Sequence, residues 1–345
     1  MSVERIGVLL VNSGTPRAAQ AAAVRTFLAR FLADPRVVQL PRAVWLPLLY
    51  GVILPLRPWR VARRYRRIWT AAGSPLRELS EGLRAELAGA LAQRVLAPLT
   101  VELGMLYSEP ELSAALERLR AGGVERLLVL PLFPQYCTAT TAAVYDRLCA
   151  ALRRWRTLPD LRVVADYHDY PPYIEALRES VTAHWRTHGR TAHLLLSFHG
   201  IPASYTRAGD PYAARCQATA RLLADELLLR EGEWSVSFQS RFGPREWLKP
   251  YTSTVLAAMP ARGVREVTLV CPGFAVDCLE TLEEIDIENR DVFLAAGGER
   301  FEYVAALNAR VSHAHALAEL IARHAQGWTD IPQGARALAS GAPAR

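Results

Sequence analysis

With 345 residues, 51% of them hydrophobic and 22% charged, the chain has the make-up of a globular protein long enough for two ordinary domains. This excludes a disordered or fibrous protein. The formal charge of +7 is mild and almost entirely arginine, with Lys249 the sole lysine, so charge by itself selects neither nucleic acid nor an anionic surface.

The N-terminus runs straight into a strand-like segment, with no basic region ahead of an apolar core, so no signal peptide is expected and the chain reads as cytoplasmic. In chain order, strands are expected at 6–11, 99–104, 126–131, 162–165, 193–198, 235–239, 266–271 and 301–304. Leucines at helical spacing between them predict amphipathic helices, among them 76–96, 111–120, 173–186 and 211–229. The alternation implies an α/β protein with parallel sheets flanked by helices. The longest apolar run, 43–56, is broken by Pro47, Gly51 and Pro55. It falls short of the roughly 20 residues a spanning helix needs, which leaves contact with a membrane surface open. The five cysteines are scattered without a Cys-x-x-Cys pair, so they read as free thiols packed as small hydrophobes. The tail after Trp328, rich in Gly, Ala and Pro, is expected to fray.

Two echoes divide the chain. Ala121-Gly-Gly-Val-Glu-Arg-Leu-Leu-Val-Leu-Pro-Leu-Phe resembles Ala261-Arg-Gly-Val-Arg-Glu-Val-Thr-Leu-Val-Cys-Pro-Gly-Phe. Leu9-Leu-Val-Asn-Ser-Gly-Thr-Pro resembles Leu194-Leu-Leu-Ser-Phe-His-Gly-Ile-Pro. Convergence on a common strand–turn pattern would give each pair alone; two pairs in the same order favour duplication of one α/β half. The expected organisation is therefore a lobe over 1–165, a second over 166–328, and the tail 329–345. The C-terminal ends of both sets of strands should face one cleft, where open α/β sheets bind ligands. Neither half carries a Gly-x-Gly-x-x-Gly turn or a P-loop, which argues against nucleotide binding.

Three segments could carry chemistry. His199 falls at the end of a predicted strand, just before a Gly/Pro turn, where an imidazole can take protons near neutral pH, bind a borderline metal, or merely cap the sheet. Asp277, Glu280, Glu284 and Glu288 recur at three- and four-residue steps after another strand end. They form an acidic stripe that is either a solvated helix face or a set of carboxylates at the cleft. The segment Arg57-Pro-Trp-Arg-Val-Ala-Arg-Arg-Tyr-Arg-Arg-Ile-Trp interleaves arginine with aromatics, which suits flat anionic aromatic ligands. Nucleic acid is the usual alternative for such a cluster. No zinc finger or RNP-like motif supports it.

Six blocks, in order, resemble the signature of the ferrochelatases: Leu9-Leu-Val-Asn-Ser-Gly-Thr-Pro; Tyr65-Arg-Arg-Ile-Trp with Gly73-Ser-Pro-Leu; Leu196-Ser-Phe-His-Gly-Ile-Pro; Gly209-Asp-Pro-Tyr; Phe238-Gln-Ser-Arg-Phe-Gly-Pro-Arg-Glu-Trp-Leu-Lys-Pro-Tyr-Thr; and Cys271-Pro-Gly-Phe-Ala-Val-Asp-Cys-Leu-Glu-Thr-Leu-Glu-Glu-Ile. They span residue 9 to about 288. The resemblance implies a two-lobed Rossmann-like chelatase fold that inserts Fe²⁺ into protoporphyrin IX, the last step of heme biosynthesis. It implies His199 and Glu280 as catalytic, metal-handling residues, with Asp277, Glu284 and Glu288 as an acidic ladder on a helix with a π-type turn. It places Ser13, Arg57, Tyr65, Ser74, Tyr107, Trp247 and Phe274 around the porphyrin, and makes 43–75 a lip over the pocket. Leu106 stands where relatives often carry Arg, and Ser13 where some carry Met. Iron is a substrate in this reading. The C-terminal cysteine set that holds an iron–sulfur cluster in animal members has no counterpart, so no cluster and no resident cofactor is expected. The expected partners are protoporphyrin IX, Fe²⁺ and, peripherally, a membrane surface met through 43–56; nucleic acid is not among them. The alternatives are a coproporphyrin III ferrochelatase and a non-catalytic porphyrin or heme carrier.

Overall fold

The computed structural model describes residues 5–94 and 98–328. Strands β1 (Arg5–Asn12), β2 (Leu99–Met105), β3 (Val124–Pro131) and β4 (Asp160–Val163) make a parallel sheet in the order β2-β1-β3-β4. Strands β5 (His193–His199), β6 (Trp234–Gln239), β7 (Glu266–Val270) and β8 (Arg300–Val304) make a second, in the order β6-β5-β7-β8. The two sheets have the same strand order. The sequence echoes fall on corresponding strands, β1 with β5 and β3 with β7, which is what duplication of one half would leave.

In the first half the helices are α1 (Ala21–Leu32), α2 (Arg42–Leu48), α3 (Leu54–Ile68), α4 (Pro75–Ala92), α5 (Leu112–Ala121) and α6 (Thr141–Leu152). α7 (Pro171–His188) leads into the second half, with α8 (Ala203–Arg207), α9 (Tyr212–Glu226), α10 (Thr252–Ala258), α11 (Arg290–Ala295) and α12 (Val311–His324). Proline opens α4 and α7, where its missing N–H costs no helical bond. Gly189, at φ +83°, ends α7.

The strands read as near-continuous apolar runs because both faces are covered. On β1, Ile6, Val8 and Leu10 point into a core shared with Leu194, Leu196 and Phe198 of β5 and with residues of α4, α7, α9 and α12. Leu9 and Val11 point the other way, onto α5 and α6. Leu195 likewise turns from the shared core to meet Leu256, Ile285 and Phe293. Each such leucine contributes about 1.5–3 kcal/mol on burial. The shared core joins the two sheets. After α12, Trp328 returns to the edge of the first sheet, its indole N–H donating to Asp160 at 2.7 Å while Arg162 lies 4.1 Å over its ring.

All eight expected strands form, with small shifts. The fourth was expected at 162–165 and runs Asp160–Val163, because its pairing with β3 begins at Arg126 opposite Asp160. The helix expected over 76–96 ends at Ala92; Leu96 and the tail 329–345 lie outside the described residues, as does the stretch 1–4. Of the cysteines, Cys137, Cys216, Cys271 and Cys278 are buried free thiols and Cys149 is exposed. Among the described residues no helix is long and apolar enough to cross a membrane.

Candidate active site

The C-terminal ends of β1, β5 and β6 and the loop after β7 open onto one cavity of about 980 Å³, at the upper end of the usual size for a small-molecule pocket. One wall is the lip: α2, a π-helical turn at Leu49–Ile53, and α3. Pro47 and Pro55 interrupt the regular ladder there, and a wider turn takes up the change. The lip packs on α1 through a small core of Val24, Leu28, Leu32, Trp45, Leu49, Leu54 and Tyr65, against which Leu279, just before Glu280, also packs.

His199 is the last residue of β5 and is half-buried in the cavity. Its Nδ1 lies 2.6 Å from the Gly200 carbonyl. A carbonyl only accepts, so Nδ1 carries the hydrogen and Nε2 keeps its lone pair in the neutral ring. The rings of Trp247 and Phe274 flank it at 6.5 and 6.4 Å. Glycine follows for a steric reason: a Cβ on Gly200 would sit 2.8 Å from the Gln239 carbonyl oxygen.

The carboxylates of the cavity come from a ten-residue π-helix, Glu280–Asn289. π-Helical structure is rare, usually a single turn, and concentrated at functional sites. Glu280, Glu284 and Glu288 all line the cavity. Gln239 fixes the start of this helix: its side-chain amide donates to the Glu280 carbonyl at 2.8 Å while Ser197 donates to its oxygen at 2.7 Å. Ser240, held at φ +65°, gives Glu284 two hydrogen bonds, from its N–H at 2.7 Å and its hydroxyl at 2.6 Å. Burial nevertheless pushes the Glu284 carboxyl above its ordinary value, against the pull of Ser240 and His199.

That direction has a measurable consequence. A carboxyl whose pKa is higher in the fold than in the unfolded chain stabilises the fold while protonated, below about 4.5. The contribution is lost as the pH rises through the folded value. Glutamine at 284 cannot ionise, so the melting temperature of Glu284→Gln relative to wild type is expected to be more favourable at pH 8 than at pH 5. A difference that stays flat or reverses between those pH values would contradict the shift.

Asp277 is not with the other three. It is 3% exposed and outside the cavity, and its carboxylate accepts from Tyr303 at 2.6 Å, Thr281 at 2.9 Å, Asn308 at 2.7 Å and the Ala306 N–H at 3.2 Å. The π-helix begins only at Glu280, so helical periodicity does not govern where Asp277 points.

Ser13, Arg57, Tyr65, Trp247 and Phe274 line the cavity. Arg57 stacks on a ring as its segment suggests, its guanidinium 4.0 Å from the centroid of Phe242. Tyr65 is buried, and burial together with the nearby Glu280 charge pushes its hydroxyl well above the usual range. Ser74 and Tyr107 lie behind the wall. Ser74 bonds the Thr15 hydroxyl at 2.7 Å, and it is Thr15 that faces the cavity. Tyr107 is 2% exposed, donates to Asp34 at 3.1 Å, and meets the cavity-lining Phe31 edge-on.

Sequence reasoning gives Gln239 and Ser240 no role of their own, although a polar pair ending β6 beside the cleft was an available signal. It misses Glu283 entirely. That residue is 2% exposed and paired with Arg64 and, at 2.9 Å, with Arg67, tying α3 to the π-helix; Arg64 also reaches Glu288. The arginines of this segment thus serve the joint between the two walls as well as the cavity.

A family model described as Ferrochelatase matches residues 5–325. Among curated relatives, the ferrochelatase of Nitrosococcus oceani is 49% identical over 344 residues, covering 99% of this chain and 92% of its own. That of Aeromonas hydrophila subsp. hydrophila is 50% identical over 319 residues, covering 92% and 98%. Of solved structures, SirB from Bacillus subtilis with Fe³⁺ superposes with a TM-score of 0.56 at 13% identity, over 95% of this chain and all of that one. DR2241 from Deinococcus radiodurans gives 0.54 at 14% identity, over 98% of this chain and 60% of that one. The two structural matches bear on the fold alone, which is that of the chelatases.

Proposed function

The chain belongs to the ferrochelatase family, and from that premise we propose that it inserts Fe²⁺ into protoporphyrin IX to form protoheme. The observation that carries this reading is one cavity lined by His199 together with Glu280, Glu284 and Glu288. A free-base porphyrin must release two pyrrole protons while hydrated iron sheds its waters. His199, with its Nε2 lone pair free, is placed to take a pyrrole proton. The row of carboxylates offers hard oxygen donors to the incoming cation and a route outward for protons. A planar macrocycle keeps its nitrogen lone pairs in the ring plane. The apolar walls therefore also bind it distorted, with part of the binding energy directed into strain. Arg57 at the mouth, freed from Phe242, suits a propionate.

The test is anaerobic loss of free-porphyrin fluorescence on adding Fe²⁺, run in parallel with protoporphyrin IX and coproporphyrin III. Rapid loss with protoporphyrin alone is the expected result. Preference for coproporphyrin would move the enzyme to another substrate, and binding without turnover of either would make it a carrier.

The same reading extends to a peripheral membrane contact. Val44, Leu48, Tyr50, Val52, Leu56 and Trp59 are exposed apolar residues on the lip, and the exposed Arg60 and Arg63 follow on α3. Apolar side chains backed by arginine suit an anionic bilayer surface, from which a poorly soluble porphyrin could enter.

A further inference from the structure

We propose that His184, His188 and Glu302 form a second divalent-cation site, separate from the cavity and suited to a borderline transition metal such as Zn²⁺. The histidines lie four residues apart near the end of α7, so one helical turn stacks them on one face. Their rings are 4.2 Å apart at an interplanar angle of 24°. Glu302 projects toward them from β8, its Oε2 3.2 Å from His184 Nε2. One donor atom from each residue lies within 4.8 Å of the other two. Zinc bonds of about 2.0–2.2 Å place neighbouring donors of a tetrahedral site roughly 3.4 Å apart. The His184–Glu302 pair is already at that separation, and a donor of the exposed His188 lies within 4.8 Å of both.

The surrounding bonds favour ligation. His188 Nδ1 lies 3.1 Å from the His184 carbonyl, which can only accept, so Nδ1 carries the hydrogen and Nε2 is left for a metal. A backbone acceptor on the outer ring nitrogen is the usual support of a ligating histidine. Of the neighbouring cations, Arg300 is engaged by Glu266 and by the carbonyls of His188 and Arg190, and Arg310, just before α12, acts on His184 through its charge alone; the ion-pair partner of Glu302 is His184. His184 and Glu302 are 14% and 22% exposed, whereas His188 opens to solvent, leaving room for water on the ion.

Glu302 pairs across the sheet with Thr268, and Thr268 with Leu194. Leu194 precedes His199 by five residues, which is about 16 Å along β5. An ion here would bridge α7 to β8 without touching the porphyrin.

Equilibrium dialysis against Zn²⁺, without porphyrin, tests the proposal on wild type, His188→Asn and Glu302→Gln. The His199 centre is common to all three proteins and cancels. Each variant is expected to hold one equivalent less than wild type, with protoporphyrin metallation of His188→Asn within twofold of wild type. Because His188 is exposed, its replacement leaves the fold intact even if Glu302→Gln does not. Zinc retention by His188→Asn equal to wild type would overturn the site and leave the cluster a plain His184–Glu302 ion pair.

Discussion

Replacement of His199 by alanine is expected to slow iron insertion by about 10²- to 10⁴-fold, the usual contribution of a positioned general base. At about 1.36 kcal/mol per tenfold, that is roughly 3–5 kcal/mol of barrier. Protoporphyrin binding should change by less than tenfold, because Trp247, Phe274 and the apolar lip still wall the cavity. The geometry allows a sharper readout than a simple loss of activity. Removing the imidazole leaves a space between two aromatic rings, 6.5 and 6.4 Å from where its centre was. Added imidazole should enter that space and restore part of the rate, with an effect that follows the fraction of neutral imidazole. The Gly200 carbonyl that held Nδ1–H remains to orient it. Anaerobic single-turnover fluorescence gives the rate, and porphyrin quenching gives the affinity. Near-normal turnover in the variant would remove His199 from the chemistry.

The scaffold was legible because parallel strands buried on both faces leave a simple trace, a short run of aliphatic residues closed by Gly or Pro. That is true of β1, β3, β5 and β7, whose flanking turns also echo each other. His199 and the acidic stripe were candidates for a related reason, since strand C-termini face the cleft; position alone left a sheet-capping histidine and a solvated helix face open, and the resemblance singled out His199 and Glu280. Long-range pairing left no such trace. Glu283 and Glu284 are adjacent in sequence, yet one closes an ion pair with α3 across 219 residues of chain and the other accepts from Ser240 inside the cavity. Equal spacing cannot distinguish them; the packing of α3 against the π-helix does. Ser74 and Tyr107 were placed against the ligand by resemblance, and they lie one layer further out. Burial removes them from contact, but Thr15 and Phe31, which they hold, remain in the wall.

Asp277 shows how far that distinction reaches, and its replacement is expected to have the largest effect on stability. An acidic ladder predicts that loss of one member slows iron or proton movement while the fold melts normally. The observed contacts predict the reverse. The buried carboxylate satisfies two hydroxyls, one amide and one backbone N–H, drawn from the π-helix, β8 and the loop after it. Alanine would leave Tyr303, Asn308 and the Ala306 N–H without this acceptor, and Thr281 with only the Cys278 carbonyl at 3.3 Å, in a site too enclosed for water to replace it fully. An unsatisfied buried polar group costs about 1–3 kcal/mol, so loss of the whole hub should cost on the order of 3–5 kcal/mol. Asparagine keeps the shape and one oxygen, but turns an amide donor toward either Tyr303 or Asn308; it should cost less than alanine and still be clearly destabilising. Chemical denaturation of Asp277→Ala and Asp277→Asn measures this order directly. Turnover per folded molecule, taken well below the melting temperature, should stay within a few-fold of wild type. Unchanged stability with turnover lost would return Asp277 to the iron path. The expected pattern instead makes it a structural hub that ties the start of the π-helix to β8 and the loop after it.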